Sequence, residues 1–207
     1  MMEILPVDLL CEALFDSKTL FKEMAILNPG AIQKTQNAFQ FVQQHGLQAV
    51  LIGGMAVSHW SSDRSLTPDV DFLTPNLNQV KQVLQQNNMQ SSVLASSGAY
   101  GGIMVPQLDA DFLDAHQGNA AFNQYVLNTA VSTRIGGVMF KIIDPNVLTI
   151  MKFDLGRAKD TEDAFKLMQG GNVNKMAMRT HLKATKAMLS NEEAQTIWGY
   201  VQSMLPG

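Results

Sequence analysis

Residues 48–73 read QAVLIGGMAVSHWSSDRSLTPDVDFL, and the fold is decided by how this stretch is divided. Gln48 to Ile52 is a short apolar run that meets Gly53-Gly54 at once, and Met55 to Trp60 continues with helical character. Asp69 to Leu73 alternates acidic and apolar residues, the period of a half-buried strand. The spacing therefore predicts a strand, a tight turn, a helix and an acidic strand. A glycine pair carries no Cβ atoms, so its N–H groups can approach an anion at a helix N-terminus. The same pair serves equally as a plain turn between strand and helix.

Asp69 and Asp71 lie two apart on the predicted strand, so their side chains share one face while Val70 and Phe72 take the other. Two carboxylates crowded together either force one pKa up or share a divalent cation, which turns repulsion into binding. Mg²⁺ suits the position because it takes carboxylate oxygens together with substrate phosphates. Two solvated acids on an outward face are the plain alternative.

Outward from this stretch, Asn28-Pro29-Gly30 is a strong breaker, which sets residues 1–30 apart as a helical N-terminal extension. Ala31 to His45 has helical apolar spacing, with Gly46 placed to cap its end. Leu77 to Asn87 predicts a helix. Ser92 to Ala95, Ile103 to Val105 and Leu108 to Leu113 predict strands, Phe122 to Ala130 a helix, and Arg134 to Ile143 a hairpin turning at Gly136-Gly137. Residues 31–143 thus form an α+β core, a mixed sheet flanked by helices. From Asp144 to residue 207 only helices are predicted: Asp144-Pro145 is an N-cap with proline at the first helical position, and Ser190 with Glu193 forms a capping box.

Of the 207 residues, 46% are hydrophobic and 16% charged, which opposes disorder and allows one real core. The formal charge of −3 removes a general nucleic-acid binder from first place. One cysteine, Cys11 among leucines, forms no internal disulfide and reads as packing, in keeping with a reducing cytoplasm. The longest apolar run, Ala49 to Val57, falls short of the roughly 20 residues that span a bilayer, so no membrane partner is expected.

The string Leu51-Ile52-Gly53-Gly54-Met55-Ala56, then Arg64, Thr67 and Asp69-Val70-Asp71-Phe72-Leu73, resembles the nucleotidyltransferase fold of polymerase beta-like enzymes. Within it, the resemblance is to the bacterial abortive-infection toxin type and related small nucleotidyltransferases. The resemblance implies that the glycine pair holds nucleotide phosphates, that Asp69 and Asp71 bind metal, and that a third carboxylate arrives from a later strand. That third acid is read as Asp111, because Asp111-Phe112-Leu113 repeats the pattern of Asp71-Phe72-Leu73; Asp109 is the reserve, and Asp114 reads as a turn acid. The chemistry expected is transfer of a nucleoside monophosphate from an NTP to a hydroxyl on tRNA, protein or a small molecule. Two Mg²⁺ ions about 3.5–4 Å apart would serve it. A toxin–antitoxin or defence setting, with a protein antitoxin as partner, comes from the same resemblance. The competing classes are a catalytically silent relative that acts as a binding or antitoxin protein, and an ordinary α+β interaction domain.

Arg64 could neutralise triphosphate oxygens bidentately or pair with a nearby aspartate, and Thr67 before Pro68 reads as a turn hydroxyl or a nucleotide contact. Lys152 lies on a helix whose other positions, Val147, Leu148, Ile150, Met151, Phe153 and Leu155, are apolar. Such an ammonium either meets a carboxylate or a phosphate, or snorkels from the edge. The resemblance adds that related proteins carry a lysine here followed by an arginine and paired acids, like Arg157, Asp160 and Asp163. Asp160 itself is read as an N-cap with Asp163 its third-position partner, and the pair is given a secondary role in orienting Lys152 or Arg157. Lys175, Arg179, Lys183 and Lys186 form a basic stripe, and His45, His59, His116 and His181 show no metal-ligand spacing.

Overall fold

The computed structural model describes residues 29–61, 69–94, 101–135 and 138–205, so Cys11, the N-terminal extension, Arg64, Thr67 and the Gly136-Gly137 turn lie outside the described residues. Seven strands form one mixed sheet: β1 Val50–Ile52, β2 Val70–Thr74, β3 Ser92–Val93, β4 Gly102–Val105, β5 Ala110–Asp114, β6 Val131–Ile135 and β7 Val138–Ile142. Their order is β3-β4-β5-β2-β1-β7-β6. Neighbours are antiparallel except for two parallel pairs, β1 with β7 and β2 with β5.

Among the described residues the helices are α1 Pro29–Gln44, α2 Gly53–Trp60, α3 Leu77–Gln86, α4 Ala120–Thr129, α5 Pro145–Leu155, α6 Ala158–Gln169, α7 Lys175–Thr185 and α8 Asn191–Met204. Proline at the first position of α1 and Gly46 at φ +58 bound that helix as their backbone preferences dictate. Asn76, Asn119 and Asn174 each accept a backbone N–H in the first turn of α3, α4 and α7. Asp144 caps α5, and Ser190 with Glu193 closes the capping box of α8, as the sequence predicts.

The alternation of β2 separates core from site. Phe72 is fully buried and packs with Phe112, Phe140 and, from α1, Phe39, at ring-centroid distances of 5.2, 5.6 and 5.7 Å. On the opposite face Asp71 meets the start of α2, which lies against α5 and α6. The C-terminal helices dock on the core through polar contacts as well. The Trp60 indole N–H donates to the Ile143 carbonyl at 2.9 Å, and His181 of α7 lies 2.8 Å from the Tyr125 hydroxyl and 3.6 Å from Asp144.

The structure corrects two readings. Leu108 and Asp109 are not in a strand: they belong to the turn before β5, where Asp109 takes φ +44, so Asp109 and Asp111 do not share a strand face. Asp160 is not an N-cap: α6 starts at Ala158 behind Arg157, and Asp160 sits inside its first turn with its carboxylate buried against cations.

Candidate active site

Strand β1 ends at Ile52 and the chain enters α2 through Gly53 at φ +65, a conformation that favours glycine. Position 71 stands directly across from Ile52 in the β1–β2 pairing. The carboxylate of Asp71 fills the space that a side chain at Gly53 would need: a Cβ built there would lie 1.8 Å from Asp71 Oδ2. The Gly54 N–H donates to the same carboxylate. The anion received by the glycine turn is therefore the chain's own Asp71.

Strand β2 pairs in parallel with β5, and the register sets Asp71 against Asp111 and Phe72 against Phe112. Two carboxylates thus stand side by side on one face while two aromatic rings, tilted at 31°, pack into the core on the other. Asp69 precedes β2 by one residue and is exposed. Burial pushes the Asp71 carboxyl up to about 6; the neighbouring Asp111 adds to the rise, while Gly54 and Lys152 oppose it. The Asp111 carboxyl is also raised, first by burial and then by Asp69. The three acids of the sequence reading therefore form one electrostatic group. Asp109 supplies its backbone instead, its carbonyl accepting the Val70 N–H at 3.0 Å. Asp114 closes the following turn, its Oδ1 accepting the His116 N–H at 2.9 Å.

The second half of the site is a buried ion network. The Lys152 ammonium lies 2.8 Å from Asp160 Oδ1 and 3.0 Å from Asp163 Oδ2, across the contact between α5 and α6. Lys152, Asp160 and Asp163 are 5%, 1% and 2% exposed, which excludes a lysine that snorkels to solvent. The Arg157 Nε donates to the other oxygen of Asp160. Hydrogen bonds from Arg157 and Lys152 hold the Asp160 carboxyl below its ordinary value against the opposing effect of burial. The field of this network reaches Asp71. The sequence reading assigned Asp160 and Asp163 only a secondary role in orienting Lys152 or Arg157; the structure makes that their main contact, two acids three apart on α6 converging on one lysine of α5.

The donor set fits a hard divalent cation. Its oxygens are carboxylates, and the Asp71–Asp111 pair is a partly buried concentration of negative charge that a cation would relieve. Among the described residues no three His, Cys, Asp or Glu side chains stand close enough to enclose an ion by themselves. Mg²⁺ commonly completes its shell with water and substrate phosphate, so a partial protein set is compatible with it. No helix among the described residues is long and apolar enough to cross a membrane.

Among solved structures of this architecture is an antigenic nucleotidyltransferase-like protein from Paracoccidioides brasiliensis, 16% identical, with a TM-score of 0.53 over 84% of this chain and 87% of that one. At that identity the likeness is one of fold. Megavirus polyadenylate synthase matches at 14% identity and a TM-score of 0.46, covering 74% of this chain and 34% of that one. The antibiotic-resistance factor ANT(2'')-Ia matches at 12% identity and a TM-score of 0.46, covering 84% and 90%. No curated protein matches the sequence. The family model described as nucleotidyl transferase of unknown function matches residues 31–198, from α1 into α8, and the chain belongs to that family, DUF2204.

Proposed function

We propose that the chain moves a nucleoside monophosphate from an NTP to a hydroxyl acceptor in a metal-dependent reaction at the face carrying Asp69, Asp71 and Asp111. The single observation that carries this reading is the register of β2 and β5. It sets Asp71 beside Asp111 on one strand-paired face, directly beneath the glycine turn. A purely structural sheet gains nothing from two partly buried carboxylates that are both raised, Asp71 by burial and by Asp111, and Asp111 by burial and by Asp69; such groups cluster at functional sites.

Asp71 and Asp111, with Asp69 at the rim, would hold Mg²⁺. Bound there, the cation would supply Lewis-acid stabilisation of the transferring phosphoryl group. The glycine turn fixes Asp71 through the Gly54 N–H and lines the approach of the phosphates; Arg64 and Thr67 are assigned to the nucleotide by the residue resemblance. Asp111, less enclosed than Asp71 and with its carboxyl raised, is the group suited to take the proton of the acceptor hydroxyl at a carboxylate oxygen. Positioning and charge carry most of the catalysis of phosphoryl transfer, and the site is built of little else.

A toxin or defence setting, with RNA, protein or a small molecule as acceptor, is supported by the residue resemblance alone. The test is incubation with each radiolabelled NTP, Mg²⁺ and a cell lysate. Label should enter one class of acceptor and be lost with Asp71→Asn. No transfer from any NTP, together with no Mg²⁺-NTP binding by calorimetry, would overturn the reading in favour of a plain interaction domain.

A further inference from the structure

Lys152 is the cation to which the sequence draws attention, yet the structure has already matched its charge. Two buried carboxylates, Asp160 and Asp163, lie within 3.0 Å of its ammonium. One cation between two anions leaves a net negative cluster, and a buried net charge is costly. Arg157 corrects this by donating its Nε to Asp160, so that two cations face two anions. The two basic residues differ in access. The Lys152 side chain is 7% exposed, whereas that of Arg157 is 70% exposed.

A guanidinium carries five N–H donors in a fixed fork, and the one on Nε is taken by Asp160. Two terminal nitrogens with four donors remain on a side chain that is 70% exposed, and among the described residues no second acid forms an ion pair with Arg157. A fork anchored on one edge and open on the other suits bidentate binding of phosphate oxygens, which a lysine engages only as a point charge. The charge of Asp71 acts on Arg157, and α6, which begins behind Arg157, packs against α2, the helix that the glycine turn opens. The anchor is also rigid, because Asp160 is 1% exposed and held from its far side by Lys152.

We propose that Arg157, and not Lys152, takes the triphosphate of the nucleotide, and that Lys152 is a positioning residue whose ammonium braces Asp160 behind the guanidinium. This rests on the reading of the site as a nucleotidyltransferase centre. It assigns Arg157 a ligand, a polyphosphate, and removes that ligand from Lys152.

The experiment is calorimetric titration of the full chain with ATP and with inorganic tripolyphosphate, each with Mg²⁺, alongside melting curves. The proteins are the original, Arg157→Gln, Arg157→Lys, Asp160→Asn and Lys152→Met. The original should bind both ligands. Arg157→Gln should weaken both by roughly ten- to a hundredfold, the range of one lost charge-assisted contact, and should lower the unliganded melting temperature as well, since it leaves Lys152 alone between two buried acids. Arg157→Lys should recover part of the affinity. Lys152→Met should melt lower, yet a folded fraction should still show a tripolyphosphate-induced rise in melting temperature. Asp160→Asn, which keeps the volume, should weaken tripolyphosphate binding while the chain stays folded. Undiminished binding by Arg157→Gln would overturn this assignment and leave the nucleotidyltransferase reading standing, as would a folded Lys152→Met protein that loses the tripolyphosphate shift while Arg157→Gln keeps it. An original protein that binds neither ligand would overturn both.

Discussion

Gly53 and Asp71 occupy each other's space: a Cβ at position 53 would lie 1.8 Å from Asp71 Oδ2, closer than any real contact allows. The glycine is therefore demanded twice, by its φ of +65 and by the carboxylate opposite. A β1–β2 connection with any side chain at this point would have to expel Asp71 from the Gly54 N–H.

Gly53→Ala should accordingly destabilise the protein by about 2 kcal/mol or more, adding the cost of a left-handed alanine to that of displacing the carboxylate. Transfer activity should fall further than stability does, because Asp71 is driven from its place. Denaturant melts and initial rates on the same preparation check this; a variant that is stable and active would mean that Asp71 does not need its present seat.

Asp71→Asn should abolish nucleotidyl transfer and raise the melting temperature of the metal-free protein above pH 6. The Asp71 carboxyl is raised from 3.8 to about 6, so between those values the folded state binds more protons than the unfolded one. Stability from this group is therefore highest in acid and falls as pH rises through the window, by at most about 3 kcal/mol at one pKa unit per 1.36 kcal/mol. The gain from Asp71→Asn should be near zero at pH 4 and reach its full size by pH 7. Comparing the two proteins isolates this group from Asp160, whose lowered carboxyl acts with the opposite sign. A pH-independent difference would mean that Asp71 does not carry the strain.

Mg²⁺ should stabilise the original protein by mass action and do so less for Asp71→Asn. Melting curves with and without Mg²⁺ and NTP measure both shifts. Equal shifts in the two proteins would remove Asp71 from the ligand set.

Lys152→Met should be among the most destabilising single changes in the C-terminal helices. It leaves Asp160 and Asp163 buried at 1% and 2% exposure with Arg157 alone to offset them. Removing one partner from a buried ion network typically costs about 3–5 kcal/mol. Replacing Lys152, Asp160 and Asp163 together by apolar residues of similar size should restore much of that loss in a denaturant melt, since the desolvation penalty goes with the charges. A triple variant no more stable than Lys152→Met would point to packing rather than charge.

Legibility in the sequence followed the range of the interactions. The strand, glycine turn and helix at 50–60 and Asp71 of β2 were legible because period-2 alternation and a glycine pair are local signals, although Asp69, read as part of the same strand, lies just before it. The same alternation misled at 108–109, where hydrophobic Leu108 and acidic Asp109 continue the pattern of β5 through a turn at φ +44. Asp160 was misread because an acid followed three residues later by another imitates a capping pair; the residue before the helix, Arg157, caps nothing with its side chain. The burial of Lys152 was legible from its apolar neighbours, and Asp160 and Asp163 were in view as groups orienting Lys152 or Arg157, but that both converge on Lys152 was not, since it requires the chain to double back through Gly156 in a left-handed turn. Sheet order and the β2–β5 register depend on contacts some forty residues apart in the chain and leave no local trace.

Asp109 and Asp111 provide the sharpest check on the third carboxylate. Asp111 stands across from Asp71 in the parallel pair, whereas Asp109 lies in the preceding turn and contributes its carbonyl to Val70. Asp111→Asn should therefore reduce transfer by orders of magnitude, as expected for loss of an electrostatic group at the reacting phosphoryl centre. Asp109→Asn keeps a residue that tolerates positive φ and leaves the backbone bond in place, so it should retain activity within a few-fold and melt within a few degrees of the original. Both variants should be assayed at pH 7 with the same Mg²⁺ and NTP concentrations, so that the comparison reads position alone. If Asp109→Asn is the inactive one, the register of β2 and β5 does not mark the catalytic face, and the acid that completes the site lies in the turn before the strand.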